Sequence, residues 1–216
     1  MAEYADVYDR IEQLRVIPVV AIDRVDAVLP LANALISGGL PAAEVTFRTD
    51  AAADAIRMLA AERPELLLGA GTVLNTRDVH RAKDCGAQFA VAPGFNPDVV
   101  KAALDVGLPF APGVMTPTDV EAALSLDLRV MKYFPAEPAG GLGFLSGLSA
   151  PYKHLGVRFI PTGGVNTRNM MDYLAVGSTL AVGGTWIAKP DLISSGCWEQ
   201  ITDNARKVCE ILAASM

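Results

Sequence analysis

Lys132 stands in RVMKYFPAE (129–137), flanked by Val130, Met131, Tyr133 and Phe134. Such a run reads as a short buried strand, where a lone ammonium is expensive unless it is paired or reaches water. One reading is that Lys132 snorkels to solvent. The other is that it points inward, where loss of hydration favours the neutral, nucleophilic amine. Its apolar neighbours leave little polar surface to reach. The other lysines (Lys83, Lys101, Lys153, Lys189 and Lys207) all fall in polar or loop-like company. The inward reading is therefore the stronger, and its chemistry is covalent addition to a carbonyl. Glu44, between Ala43 and Val45 in AEVTFRT, also faces inward if that run is a strand. It could move protons for the amine or serve only as its ion-pair partner.

Further polar residues and glycines cluster where apolar runs end. Arg48 follows Glu44 by four positions, and a guanidinium there could grip a carboxylate bidentately, although a solvated loop arginine is the simpler reading. Thr72 closes GAGTV among small residues. VAPG and FAPG, near-copies, end on Pro93-Gly94 and Pro112-Gly113. PTGG delivers Thr162, Gly163 and Gly164, and VGGTW delivers Gly183, Gly184 and Thr185. One Gly-Gly after a strand is usually a turn. Two such pairs after the last two strands suggest backbone N–H groups arranged for phosphate.

The elements that must position these residues alternate along the chain. Continuous Val/Ile/Leu/Phe runs predict strands at Val16–Ile22, Ala42–Thr46, Leu66–Ala70, Gln88–Ala92, Leu108–Ala111, Leu128–Phe134, Val157–Thr162 and Leu180–Val182. Helix-period segments separate them. Asn75, Asn96 with Pro97, and Thr116 with Pro117 are expected N-caps, as is Thr49 or Asp50. Gly38-Gly39, Gly86 and Gly107 are expected stops. Tyr4, Val7, Ile11 and Leu14 share one face of an additional N-terminal helix, about 4–14, able to plug a barrel bottom. Eight βα units in one series predict an α/β chain folded as a (β/α)₈ TIM barrel, a single domain over 1–216. An open doubly wound sheet is the alternative. Pro18 and Pro161 interrupt predicted strands and are expected at strand ends or bulges.

Composition excludes several function classes. The 216 residues carry a formal charge of −6 and no Lys/Arg run, which disfavours nucleic acid. The mean hydropathy of +0.32 marks a well-buried globular chain. The longest nearly uncharged stretch, Leu174 to Ala188, is broken by Gly, Ser and Thr and falls short of the roughly 20 residues of a membrane span. No apolar signal region opens the chain, and Cys85, Cys197 and Cys209 form no CxxC pair. A reduced, cytoplasmic protein is expected. His80 and His154 lack ligand partners at useful spacing, so metal chemistry is not expected, and there is no GxGxxG, GxxxxGK(S/T) or GxSxG motif.

The pieces PVVAID, EVTFRT, GAGTVLN, GAQFAVAPG, KYFPAE, FIPTGGVN and VGGTW, from about residue 17 to 187, occur in an order that resembles the 2-keto-3-deoxy-6-phosphogluconate aldolases. These are small class I pyruvate aldolases of the Entner–Doudoroff pathway. KxFPAE with EVTxRT is the specific part. The resemblance implies a (β/α)₈ barrel, usually a homotrimer, that needs no cofactor. It implies Lys132 as the Schiff-base amine and Glu44 as general acid/base, acting through a water. It implies Arg48 and Thr72 on the keto acid's carboxylate, and Thr162, Pro93 and Phe134 around the substrate. Gly163, Gly164, Gly184 and residue 185 would hold the phosphate; relatives often carry Ser where this chain has Thr185, which keeps the hydroxyl. The nearest alternatives are aldolases for the phosphogalactonate epimer or 4-hydroxy-2-oxoglutarate. Arg48 speaks against the first and the glycine pairs against the second. A non-covalent sugar-phosphate isomerase and a non-catalytic phosphometabolite-binding barrel are more distant alternatives.

Overall fold

Continuous apolar runs become strands buried on both faces, as parallel strands under a helical layer must be. The computed structural model describes residues 4–214. Its strands are β1 (Val16–Val20), β2 (Ala42–Thr46), β3 (Leu67–Gly71), β4 (Phe89–Val91), β5 (Phe110–Ala111), β6 (Gly113–Val114), β7 (Val130–Tyr133), β8 (Arg158–Pro161) and β9 (Val182–Gly184). They pair in parallel in the orders β5-β4-β3-β2-β1-β9 and β6-β7-β8. Two junctions close the ring. β5 and β6 are one stave interrupted at Pro112, and parallel bridges from Phe159 to Thr179 and from Thr162 to Gly183 join β8 to the last stave. The result is a (β/α)₈ barrel. Because the last stave pairs with β1 on one side and is bridged to β8 on the other, the sheet closes on itself and the doubly wound alternative is excluded.

The two prolines are accommodated by alternation. In a parallel ladder successive residues bond to opposite neighbours. Thr162 N–H bonds to Tyr133 and Phe159 N–H to Ser178, so the missing N–H of Pro161 faces the last stave, where only isolated bridges form. Arg15 bonds toward β9, so the missing donor of Pro18 faces β2. The β1–β2 ladder registers only above it, at Val19 and Val20. The last strand also departs from expectation, forming at 182–184 rather than 180–182: the chain at 179–180 meets β8 through an isolated bridge, and the ladder to β1 begins at Val182.

Outside the staves run α1 (Ala5–Leu14), α2 (Val28–Ser37), α3 (Ala52–Glu62), α4 (Thr76–Asp84), α5 (Pro97–Asp105), α6 (Pro117–Leu124), α7 (Gly141–Ser149), α8 (Met170–Leu174), α9 (Pro190–Ser194) and α10 (Trp198–Ala213). Asn75 and Asn96 cap α4 and α5, and Thr116 forms a reciprocal capping box with Asp119. Neither Thr49 nor Asp50 caps α3. Ala51 holds that position, and the Thr49 hydroxyl donates instead to Ile22 C=O at 2.6 Å, tying the β2 loop to the β1 loop.

Inward positions recur every second residue along each stave. The lower interior is apolar, built from Ile17, Ala42, Leu67, Phe89, Val130 and Ile160 among others. Ile11 of α1 is fully buried against this cluster, with Val7, Tyr8 and Leu14 beside it, so the N-terminal helix plugs the bottom as expected. Higher up, the inward positions of β3 are glycine. A Cβ on Gly69 would meet the Phe89 ring at 2.2 Å, and one on Gly71 would meet Glu44 Oε1 at 2.3 Å. Large side chains from neighbouring staves take the space these glycines vacate.

Candidate active site

Period-two alternation carries Lys132 inward from the third position of β7 and Glu44 inward from the third position of β2. They meet across the barrel. Lys132 Nζ donates to Glu44 Oε1 at 2.9 Å, with the two residues only 6% and 3% exposed. Lys132 therefore does not snorkel. The cost of burying its charge is offset by an equally buried partner, and one proton transfer within the pair yields a neutral amine beside a carboxylic acid. The Phe134 ring lies 5.6 Å from Nζ and walls the pair on one side. Gly113, which pairs with Lys132 in register, leaves space that the Pro93 carbonyl occupies. The two Pro-Gly turns thus pack on each other beside the amine.

Arg48 and Thr72 also come together, at the loops of β2 and β3. Arg48 Nε donates to Thr72 Oγ1 at 3.0 Å, and Arg48 remains exposed. Thr72 has φ of 59°, left-handed and unfavourable for a β-branched residue; such strain concentrates at functional sites. On the opposite rim, the Thr162–Gly183 bridge sets the Gly163-Gly164 turn beside Gly184 and Thr185. The two glycine pairs differ in cause. Gly163 and Gly164 have φ of 98° and 85°, which demands glycine. At Gly183 and Gly184 the demand is space, for Thr162 Oγ1 at 2.5 Å and the Trp186 ring at 2.0 Å from a hypothetical Cβ. The carbonyls of Gly163 and Gly164 are taken by Glu137 N–H and Asn166 Nδ2. The parallel Thr162–Gly183 bridge turns the Gly163 N–H toward Gly183 C=O, whereas among the described residues the N–H groups of Gly164 and Thr185 meet no acceptor. Free amides on adjacent staves suit an anion.

The family model described as KDPG and KHG aldolase matches residues 7–204. The chain belongs to the KDPG and KHG aldolase family. It is 43% identical over 206 residues to the 2-dehydro-3-deoxy-phosphogluconate aldolase of Haemophilus influenzae, covering 95% of this chain and 96% of that one. Among solved structures it is similar to the KDPG aldolase of Legionella pneumophila with pyruvate captured as a covalent carbinolamine intermediate. That similarity has a TM-score of 0.89 at 35% identity, over 94% of this chain and 97% of the other. It is also similar to the enzyme of Zymomonas mobilis with 3-phosphoglycerate (TM-score 0.84, 38% identity, 94% of each chain). The fold and class I aldolase assignment read from KxFPAE and EVTxRT therefore hold for this aldolase family member.

Some residues at this aldolase site escape sequence reasoning. Gly71 matters because its missing side chain leaves room for the Glu44 carboxylate, and nothing in GAGTV says which glycine does so. Thr46, two residues beyond Glu44, is buried and donates to Val20 C=O at 3.2 Å, stitching the C-terminal ends of β2 and β1 together at the site. Glu137 lies inside KYFPAE, but the partner that gives it meaning, Tyr173, is 36 positions away.

Proposed function

We propose that this chain is a Schiff-base aldolase that cleaves 2-keto-3-deoxy-6-phosphogluconate to pyruvate and glyceraldehyde 3-phosphate. The observation that carries the reading is the buried Lys132–Glu44 contact at 2.9 Å inside a barrel. Transfer of a proton from the ammonium to Glu44 frees the amine to attack the C2 ketone. Loss of water from the carbinolamine, assisted by the Glu44 acid, leaves an iminium. Glu44, directly or through a water, then takes the proton of the C4 hydroxyl. The C3–C4 bond breaks, its electron pair flowing into the iminium to give an enamine, and the aldehyde departs. Protonation at C3 and hydrolysis release pyruvate and return Lys132.

In this reading Arg48 and Thr72 hold the keto acid's carboxylate, and Thr162, Pro93 and Phe134 shape the space around the reacting carbons. The Gly163-Gly164 turn and Thr185, with Gly184 keeping the backbone close, take the phosphate on backbone N–H groups. The carbinolamine in the Legionella pneumophila relative and the 3-phosphoglycerate in the Zymomonas mobilis relative support these two halves of the proposal. We take residues 1–216 as one barrel domain of a cytoplasmic homotrimer; sedimentation equilibrium tests the assembly.

Incubation with pyruvate and borohydride, followed by peptide mapping, tests the covalent step. A reduced adduct confined to the peptide bearing Lys132, absent in Lys132→Ala, is the expected result. A folded protein that traps nothing would overturn the mechanism.

A further inference from the structure

We propose that Glu137 is a positioning residue that, together with Tyr173, holds the Gly163-Gly164 turn at a fixed distance from the strand carrying Lys132. The inference rests on reading that turn as the phosphate seat. A carboxylate beside a phosphate seat is otherwise hard to understand, because it repels the ligand. Its value lies in what it ties together.

Four segments meet at Glu137. Its N–H donates to Gly163 C=O at 2.9 Å, and the preceding Ala136 N–H donates to Thr162 C=O at 2.8 Å. The loop after β7 thus runs as an extra rung along the loop after β8. Its own C=O accepts from Gly140 N–H at 3.2 Å, and Gly141 N–H reaches Ala136 C=O at 3.0 Å, which joins the start of α7. Its methylenes cover Gly164 so closely that a Cβ there would sit 2.5 Å from Glu137 Cβ. Finally, its Oε1 accepts a short hydrogen bond from the Tyr173 hydroxyl. Tyr173 is 1% exposed and belongs to α8, the helix that follows the glycine turn. The Tyr173 bond anchors the Glu137 side chain to the core, and the side chain in turn presses on Gly164. Burial, followed by the adjacent Glu137 carboxylate, pushes the Tyr173 phenol up, so it remains a donor at any working pH.

Lys132 sits two residues before Phe134, and Glu137 only five after Lys132, so the covalent centre and the phosphate turn share a short, latched span. Loosening the latch changes the distance between the two ends of a bound substrate without touching the amine. Binding of the phosphorylated keto acid should suffer, while chemistry that involves only pyruvate should not.

The test uses the full chain as Glu137→Ala, Glu137→Gln, Tyr173→Phe and the Glu137→Ala/Tyr173→Phe pair. Two reactions are followed: cleavage of the phosphorylated keto acid, and exchange of pyruvate methyl protons in D₂O, which needs the Schiff base but no phosphate. Glu137→Ala and Tyr173→Phe are expected to raise KM for cleavage about tenfold with kcat within about twofold, the scale of one lost hydrogen bond. Pyruvate exchange should stay within about twofold, and the pair should be no worse than its worse member. Glu137→Gln keeps an acceptor for Tyr173 and should recover most of the loss. Equal slowing of both reactions, an unchanged KM, or additive losses in the pair would overturn the proposal. Competitive inhibition of the wild type by inorganic phosphate checks the underlying reading separately. Its absence, with pyruvate exchange intact, would remove the phosphate seat and this inference with it, while leaving the Schiff-base mechanism standing.

Discussion

At the scale of single residues, Lys132 and Glu44 are each intolerable without the other. Removing one partner of a buried pair leaves an uncompensated charge and costs about 3–5 kcal/mol, whereas replacing both with apolar groups of similar volume is often neutral. Lys132→Met should therefore lower the urea-derived stability by about that amount, and Lys132→Met/Glu44→Leu should recover most of it. Neither should cleave substrate. If the double variant is as unstable as the single, the pair is not what burial costs at this position. Gly71→Ala probes the same centre from outside it. Its new Cβ would fall 2.3 Å from Glu44 Oε1, so the carboxylate must shift relative to the amine. A displacement of that order at a reacting group lowers kcat/KM about 10²-fold; steady-state assay of the folded variant checks it. Both residues of the pair were legible in the sequence, since charged side chains in continuous apolar runs have few explanations. Gly71 was not, because a missing side chain acquires meaning only from the neighbour that fills its space.

At the scale of elements, the strands were legible from their apolar runs, and the caps from Asn75, Asn96 and Thr116, because these signals act within a few residues. What failed was local in appearance but tertiary in cause. Thr49 reads as a cap until the helix is seen to take its cap position two residues later, at Ala51, with the Thr49 hydroxyl turned to donate to the Ile22 carbonyl, and Pro112 reads as a strand end until the stave resumes at Gly113. The α6 capping box allows a pH test. Partial burial pushes the Asp119 carboxyl up, but the N–H groups of Met115 and Thr116, with the Thr116 hydroxyl, outweigh it and hold it below its ordinary value. A folded-state value below the unfolded one gives stability that is present above about pH 3.9 and lost as pH falls through the folded value. Asp119→Ala should thus cost about 1 kcal/mol at pH 7. In urea titrations its midpoint should converge on that of the wild type as pH falls through the folded value. A difference that persists unchanged into acid would assign the loss to packing.

At the scale of the whole molecule, the barrel separates the work of its two ends. The upper interior is opened by glycines and carries the ion pair, the strained Thr72 and the free amides of the rim, all features that lower stability. The lower interior compensates with an apolar plug, and α1 completes it. Ile11 is fully buried there against staves that also bear Lys132 and Glu44 two or more residues higher. Because barrel chemistry lies at the C-terminal ends of the strands, conservation of fold and execution of chemistry should be separable by mutation. Ile11→Ala removes buried methylenes and leaves a cavity, at a cost of about 2–5 kcal/mol in urea unfolding. The kcat/KM of the molecules that remain folded at 25 °C should stay within about twofold, since Ile11 packs into the apolar cluster below the ion pair. A loss of activity that exceeds the loss of folded protein would mean that the plug sets the spacing of the staves, and that the catalytic pair is held from below as well as from the rim.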